Sequence, residues 1–320
     1  ANGDRWLEQT REQLSELGFF GDVHSGPGVF DRADRFDAPV FYFGWYAGDV
    51  AGPFLRAGFR FPPGAIALHI HSFSAASLRT ADKHWCGPLV ARGVAATFGN
   101  VFEPYLEFTL RPDLLLAQLR TGATLGDAAW FATPVLGWHT VILRDPLYRP
   151  FKVSLEEQMQ QLDQLPPSLA GHVLARQAAL LDKLGLQNEA RAAFARGRRD
   201  YPSLSLALAS ARFELAAGET AKALEQLAFV PHLREVSEAD WPLVRAAAEL
   251  WLKHASPRDA FPIYRLLAAA PAPTPAARLA VAQEARRIAE VIGDLSAALE
   301  LGRLVTELTP SAPPETKPGK

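Results

Sequence analysis

The feature that most constrains this chain is a change of hydrophobic period near Val153. Up to about Phe151, short apolar runs alternate with helical patterns and Gly/Pro punctuation; beyond Val153 the β-branched and aromatic runs give way to Ala/Leu/Arg-rich helical sequence. A strand places alternate residues on one face and a helix every third or fourth, so the two stretches cannot belong to one layer arrangement. The chain therefore reads as an α/β domain over 1–153 and an α-helical domain over 154–310. Its 320 residues suffice for two cores.

In the first stretch the strand candidates are Pro39 to Tyr46, Ala65 to His71, Gly93 to Phe98 and His139 to Leu143. Near-continuous apolar character predicts strands buried on both faces of a mostly parallel sheet with crossover helices. Helices are predicted over Asp4 to Leu17, Trp85 to Ala91, Pro112 to Leu119 and Thr124 to Ala132, with Pro112 in a first turn and Thr124 as an N-cap.

The second stretch repeats itself. Gly185, Gly218, Ala255 and Gly293 each stand five residues before an alanine, at Ala190, Ala223, Ala260 and Ala298. The period lies close to that of a tetratricopeptide helix pair, and Pro202, Pro271 and Pro310 close the second helices. Small residues let paired helices approach, so stacked neighbours bury a continuous core. Residues 311–320 contain three prolines and almost nothing apolar, which predicts a disordered tail.

Composition then excludes several classes. Thirty-three basic residues against 35 acidic ones leave no positive field to hold nucleic acid. The single cysteine, Cys86, closes no intrachain disulfide, no CxxC spacing marks a structural zinc site, and no cofactor is implied. No apolar run is long enough to span a membrane. The chain opens at Ala1 and runs straight into a helix start, from which an upstream piece carrying any export signal is expected.

Four separated segments carry a resemblance: Phe43-Gly44-Trp45-Tyr46, Ala67-Leu68-His69-Ile70-His71-Ser72-Phe73-Ser74-Ala75, Gly99-Asn100-Val101-Phe102-Glu103-Pro104-Tyr105-Leu106 and Asp145-Pro146-Leu147-Tyr148-Arg149-Pro150-Phe151. Across residues 2–152 the chain resembles an uncharacterised bacterial family that co-occurs with exosortase, the membrane enzyme proposed to sort PEP-CTERM-tagged proteins. Family members carry an amino-terminal export signal, so the resemblance implies an extracytoplasmic location. More distantly it resembles the gingipain and caspase-like peptidases, implying a caspase-haemoglobinase type of sheet truncated at its amino end. The catalytic dyad of those enzymes does not carry over. Trp45 follows Gly44 where a histidine is required, the next strand ends His71-Ser72-Phe73-Ser74 with no cysteine, and Arg144 replaces the glycine usual before Asp145-Pro146.

Ligands of open parallel sheets bind beyond the carboxyl ends of the strands, where the unusual residues gather. His69 and His71 share a face; Ser72, Ser74 and Arg79 follow; Asn100 and Glu103 close the third strand; His139 opens the fourth and Asp145 closes it. Trp45 and Tyr46, with Trp85 and Trp138 as neighbours, line the cleft in one reading and pack structurally in the other. A seryl hydrolase or transpeptidase-like enzyme would use Ser72 or Ser74 with His71, oriented by Glu103 or Asp145. A metal site would take His69, His71 and a carboxylate. The bland reading makes the histidines hydrogen-bonded packing residues, and it is favoured because no GxSxG elbow is present and one HxH pair is a weak signal. Cys86 reads as a buried small hydrophobe, and Arg196, Arg198 and Arg199 as a solvated helix end. The expected function is a non-catalytic scaffold that binds a peptide or partner, with the helical repeats receiving a protein.

Overall fold

The computed structural model describes residues 2–21, 23–26, 28–137 and 139–310. The tail over 311–320 and Trp138 lie outside the described residues. The chain divides into two compact units, Ala1–Ser210 and Ala211–Lys320.

The first unit opens with α1 (Asn2–Glu16), β1 (Phe41–Trp45), β2 (Ile66–Ile70), α2 (Cys86–Ala91) and β3 (Ala96–Asn100). It continues through α3 (Pro112–Leu119), α4 (Leu125–Ala132), β4 (Thr140–Leu143), α5 (Leu155–Gln160), α6 (Pro167–Lys183) and α7 (Gln187–Asp200). Helix α8 (Leu204–Ala216) crosses the boundary, and the second unit holds α9 (Thr220–Gln226), α10 (Trp241–His254), α11 (Pro257–Ala269), α12 (Pro275–Ile292) and α13 (Leu295–Leu308). The architecture is α/β, with a four-stranded mixed sheet in the order β1-β2-β3-β4.

β1, β2 and β3 run parallel, whereas β4 is antiparallel to β3, with Asn100 opposite Thr140 and Thr97 opposite Leu143. This corrects the placement of the fourth strand's ends. One crossover helix returns a chain to the amino edge of a sheet and gives a parallel strand; α3 and α4 together return it to the carboxyl edge. His139 therefore stands at the carboxyl end of β3, where its carbonyl accepts the Val101 N–H at 2.8 Å. Asp145 lies at the opposite edge, where the preceding Arg144 donates to the Val94 carbonyl at 3.0 Å.

Strand β2 alternates between two cores, as the pleat requires. Ile66, Leu68 and Ile70 face a cluster with Trp6, Phe98, Leu115, Leu119 and Leu125, under α1, α3 and α4. Ala65 and Ala67 face the other side, with Tyr42, Phe54, Trp85 and Leu89. Each fully buried large side chain in these clusters contributes about 1.5–3 kcal/mol relative to exposure. Caps fix the helix starts. The Thr124 side chain accepts the Asp127 N–H, and Ser154 with Glu157 forms a reciprocal capping box at α5.

The repetitive half is a succession of helix pairs, α6/α7, α8/α9, α10/α11 and α12/α13. Ala190, Ala223, Ala260 and Ala298 all lie in second helices and are buried. Gly185, Gly218 and Gly293 turn between paired helices with φ of +76°, +79° and +79°. The fourth turn is built differently: Ala255 ends α10 in extended conformation and Ser256 caps α11 with Asp259, so no left-handed residue is needed there. Helix α6 is tied to the α/β part, since Arg176 Nε donates to the Leu17 carbonyl at 2.7 Å and its guanidinium lies over Phe19. The change of period does fall between β4 and α5, while the compact unit runs on to Ser210.

Candidate binding site at the strand ends

The carboxyl edge of β1 to β3 gathers Trp45, Tyr46, His69, His71, Ser72, Ser74, Asn100, Glu103 and His139. They separate into a buried polar group and an exposed row.

His69 is 4% exposed and its ring stacks on Trp85, centroids 3.6 Å apart and planes within 5°. Its Nε2 accepts the Ala47 backbone N–H at 3.0 Å, so the ring proton sits on Nδ1, 2.8 Å from the Tyr42 hydroxyl. Both nitrogens are thereby used. Burial pushes the His69 pKa down to about 3, and the adjacent His71 acts in the same direction. Trp85, 2% exposed, donates its Nε1–H to the Ala47 carbonyl at 2.8 Å and belongs to the core rather than to a cleft wall. Together the two rings hold both backbone groups of Ala47.

Ser74 and Asn100 are equally committed. The Ser74 Oγ accepts the Asn100 N–H at 3.0 Å, and the Ser74 carbonyl accepts from Trp85 and Cys86 N–H at 3.1 and 2.9 Å. Asn100 donates its Nδ2 to the His71 carbonyl at 3.2 Å and accepts the Thr140 hydroxyl at 3.0 Å. These bonds join the ends of β2, β3 and β4. Beneath them is a cavity of about 10 Å³, lined in part by His69, Ser74, Asn100 and Thr140, with room for about one water. Cys86 is fully buried at the start of α2, 4.0 Å from the Thr97 hydroxyl, and burial pushes its thiol up to about 12.

The serine–histidine pairing required for a hydrolase is not formed. His71 Nδ1 accepts the Phe73 N–H at 3.2 Å, while the Ser72 Oγ lies 3.4 Å from the Tyr46 hydroxyl and 3.5 Å from Glu103 Oε1. No hydrogen bond of Ser72 or Ser74 reaches a histidine nitrogen; the Ser72 hydroxyl turns to the Glu103 carboxylate at the long distance of 3.5 Å, and the Ser74 hydroxyl is tied to Asn100. Among the described residues no group of three or more His, Cys, Asp or Glu side chains could hold a metal ion. Trp45 is drawn away to α1, where its Nε1 donates to Asp4 Oδ1 at 3.0 Å and Gly3 lies against the indole. Arg79 is exposed beyond the short segment after Ser77.

What remains open to solvent is a row of rings. Tyr46, 63% exposed, lies 5.0 Å from His71; Phe73 lies 6.3 Å from His71 and 5.7 Å from Phe102; Phe102, 58% exposed, lies 6.3 Å from His139. Glu103 stands beside the row with its carboxylate exposed. Phe73 and Phe102 were not among the expected site residues. Their signal in the sequence is position, each falling just past a strand end where an aromatic side chain has no sheet to bury it. No family model matches the chain, and no curated protein or solved structure matches it.

Proposed function

We propose that the chain is a non-catalytic binding scaffold whose α/β unit presents the strand-end row to an extended peptide and whose helix pairs receive a protein partner. One observation carries this reading: His69, Ser74 and Asn100 are consumed in bonds that hold the strand ends together, and neither serine pairs with a histidine, while what is left exposed is mainly aromatic, with Glu103 beside it. Contiguous exposed rings are costly to hydrate and offer flat faces to a ligand. The finer architecture proposed is a caspase-haemoglobinase type of sheet followed by tetratricopeptide-type pairs. The parallel β1-β2-β3 order with strand-end polar residues and the recurrent helix turns support it. In the same reading the protein serves bacterial export and surface sorting outside the cytoplasm, as the four resembling segments imply. No helix among the described residues is long and apolar enough to cross a membrane.

The test is a random peptide library displayed on phage and panned against the immobilised chain. Clones enriched on the native chain and lost on a Tyr46→Ala/Phe102→Ala variant of unchanged melting temperature are expected. Equal retention by both chains would place the binding elsewhere.

A further inference from the structure

The chain carries a formal charge of −2, but its charges are unevenly placed. At the amino edge of the sheet, opposite the strand-end row, several arginines are anchored to main-chain carbonyls instead of carboxylates. Arg144 donates to the Val94 carbonyl at 3.0 Å, Arg60 to the carbonyl of its neighbour Phe59 at 2.8 Å, Arg149 to the Gly122 carbonyl, and Arg92 to those of Phe54, Ala81 and Pro88. A carbonyl positions a guanidinium but leaves its charge uncancelled. Arg60, Arg144, Arg149 and Lys152 are exposed, and none of them makes an ion pair among the described residues. Asp82 acts on Arg92, Asp127 accepts the Thr124 hydroxyl at 2.7 Å, and Asp145 accepts the Leu147 N–H at 2.9 Å; the cations outnumber these carboxylates. Arg144 is itself held at φ +114°, a region that glycine enters freely and a side chain resists.

Among these cations stands a leucine. Asp145 to Tyr148 form a turn, closed by the Tyr148 N–H on the Asp145 carbonyl at 3.2 Å, and Leu147 at its tip is 74% exposed. The turn is pinned to its surroundings. The Pro146 and Tyr148 carbonyls accept the Gly126 and Leu125 N–H groups, each at 2.8 Å, and the Tyr148 hydroxyl donates to the Gly64 carbonyl at 2.8 Å. A fixed apolar tip ringed by cations matches a surface that is anionic at its face and apolar just beneath. A phospholipid bilayer has that layering, and a soluble polyanion lacks the apolar layer.

We infer that the amino edge of the sheet docks on an anionic bilayer surface, with Arg60, Arg144, Arg149 and Lys152 on lipid phosphates and Leu147 inserted between headgroups. The contact is peripheral, and it leaves the strand-end row facing away from the lipid.

The experiment is flotation of the full chain with vesicles of phosphatidylcholine alone and of a two-to-one mixture of phosphatidylcholine and phosphatidylglycerol, at low and high salt. Binding to the mixed vesicles only is expected, falling as salt screens the surface. Arg144→Gly/Lys152→Gln should lower the partition about thirtyfold at low salt, the effect of losing two surface cations. Arg60→Gln/Lys152→Gln serves in its place if the first pair lowers the melting temperature. Leu147→Ser should lower the partition several-fold at both salt concentrations. Flotation with neither vesicle or equally with both, or a double variant that floats as wild type, would overturn the inference. Unchanged partition of Leu147→Ser, with wild type and this variant retained equally on immobilised polyglutamate, would make the edge a polyanion surface and overturn the lipid assignment.

Discussion

His69 shows how a residue that looks chemical in the sequence becomes structural in the fold. Its spacing from His71 correctly puts both on one side of β2, but spacing says nothing of partners, and the partners decide its role. Because burial disfavours the charged ring, with His71 acting in the same direction, the folded state holds the neutral ring, bonded to Ala47 N–H and Tyr42, with a pKa of about 3 against the usual 6.5. The unfolded chain therefore binds the proton more readily between those values, and stability falls as pH drops from about 6.5 towards about 3. His69→Asn is expected to cost about 1–3 kcal/mol at pH 7 through the partners left unsatisfied. Its urea-unfolding free energy should also fall less steeply than wild type between pH 6.5 and 4. Parallel pH profiles would show that His69 is not the group being titrated. Cys86 belongs to the same scale. A thiol buried beside Thr97 and raised to about 12 should react with iodoacetamide at neutral pH only on unfolding, and fast labelling of the native chain would give it a thiolate the packing denies.

At the scale of elements, glycines mark where backbone or side chains come too close for anything else. A Cβ at Gly99 of β3 would sit 2.7 Å from the Ser74 Oγ and closer still to the Cys86 Sγ. Gly99→Ala should lower the unfolding free energy by about 1–3 kcal/mol, the cost of overpacking a closed interior. Gly218 has open space around it and a φ of +79°, so the penalty of Gly218→Val comes from backbone conformation alone, about 1–2 kcal/mol. A melting temperature unchanged in Gly218→Val would remove the case for a left-handed turn in that helix pair. The elements themselves were legible because strand and helix periods differ: all four strands and the flanking helices fall where the patterns put them. The direction of β4 was not legible. Pro112 to Leu119 and Thr124 to Ala132 both read as helices, but only their packing as a pair makes them one return path instead of a crossover. That single reversal carries His139 to the candidate site and Asp145 away from it. Trp45 was misleading for a similar reason, since its partners Gly3 and Asp4 are forty residues upstream and no local pattern links them.

For the whole molecule, the two compact units predict what can be separated. A fragment spanning 204–310 holds three helix pairs, enough to bury a shared core, and should give a helical circular-dichroism spectrum with a cooperative melt. The pair α6/α7 should stay with the α/β part, because Lys183 Nζ donates to the Ser15 Oγ at 3.0 Å and Arg176 grips Leu17. A random-coil spectrum from 204–310 would contradict the division at Ser210. In the first unit the hydrogen bonds of Ser72 and Ser74 reach no histidine nitrogen, and those of Ser74 and Asn100 join the strand ends, which supports the proposal of a non-catalytic site. The most direct measurement is the intact mass of the native chain after incubation with a fluorophosphonate, which phosphonylates serines activated by a base. The geometry of Ser72 and Ser74 predicts an unmodified mass; a stoichiometric adduct mapped to either residue would contradict the account and restore the hydrolase reading.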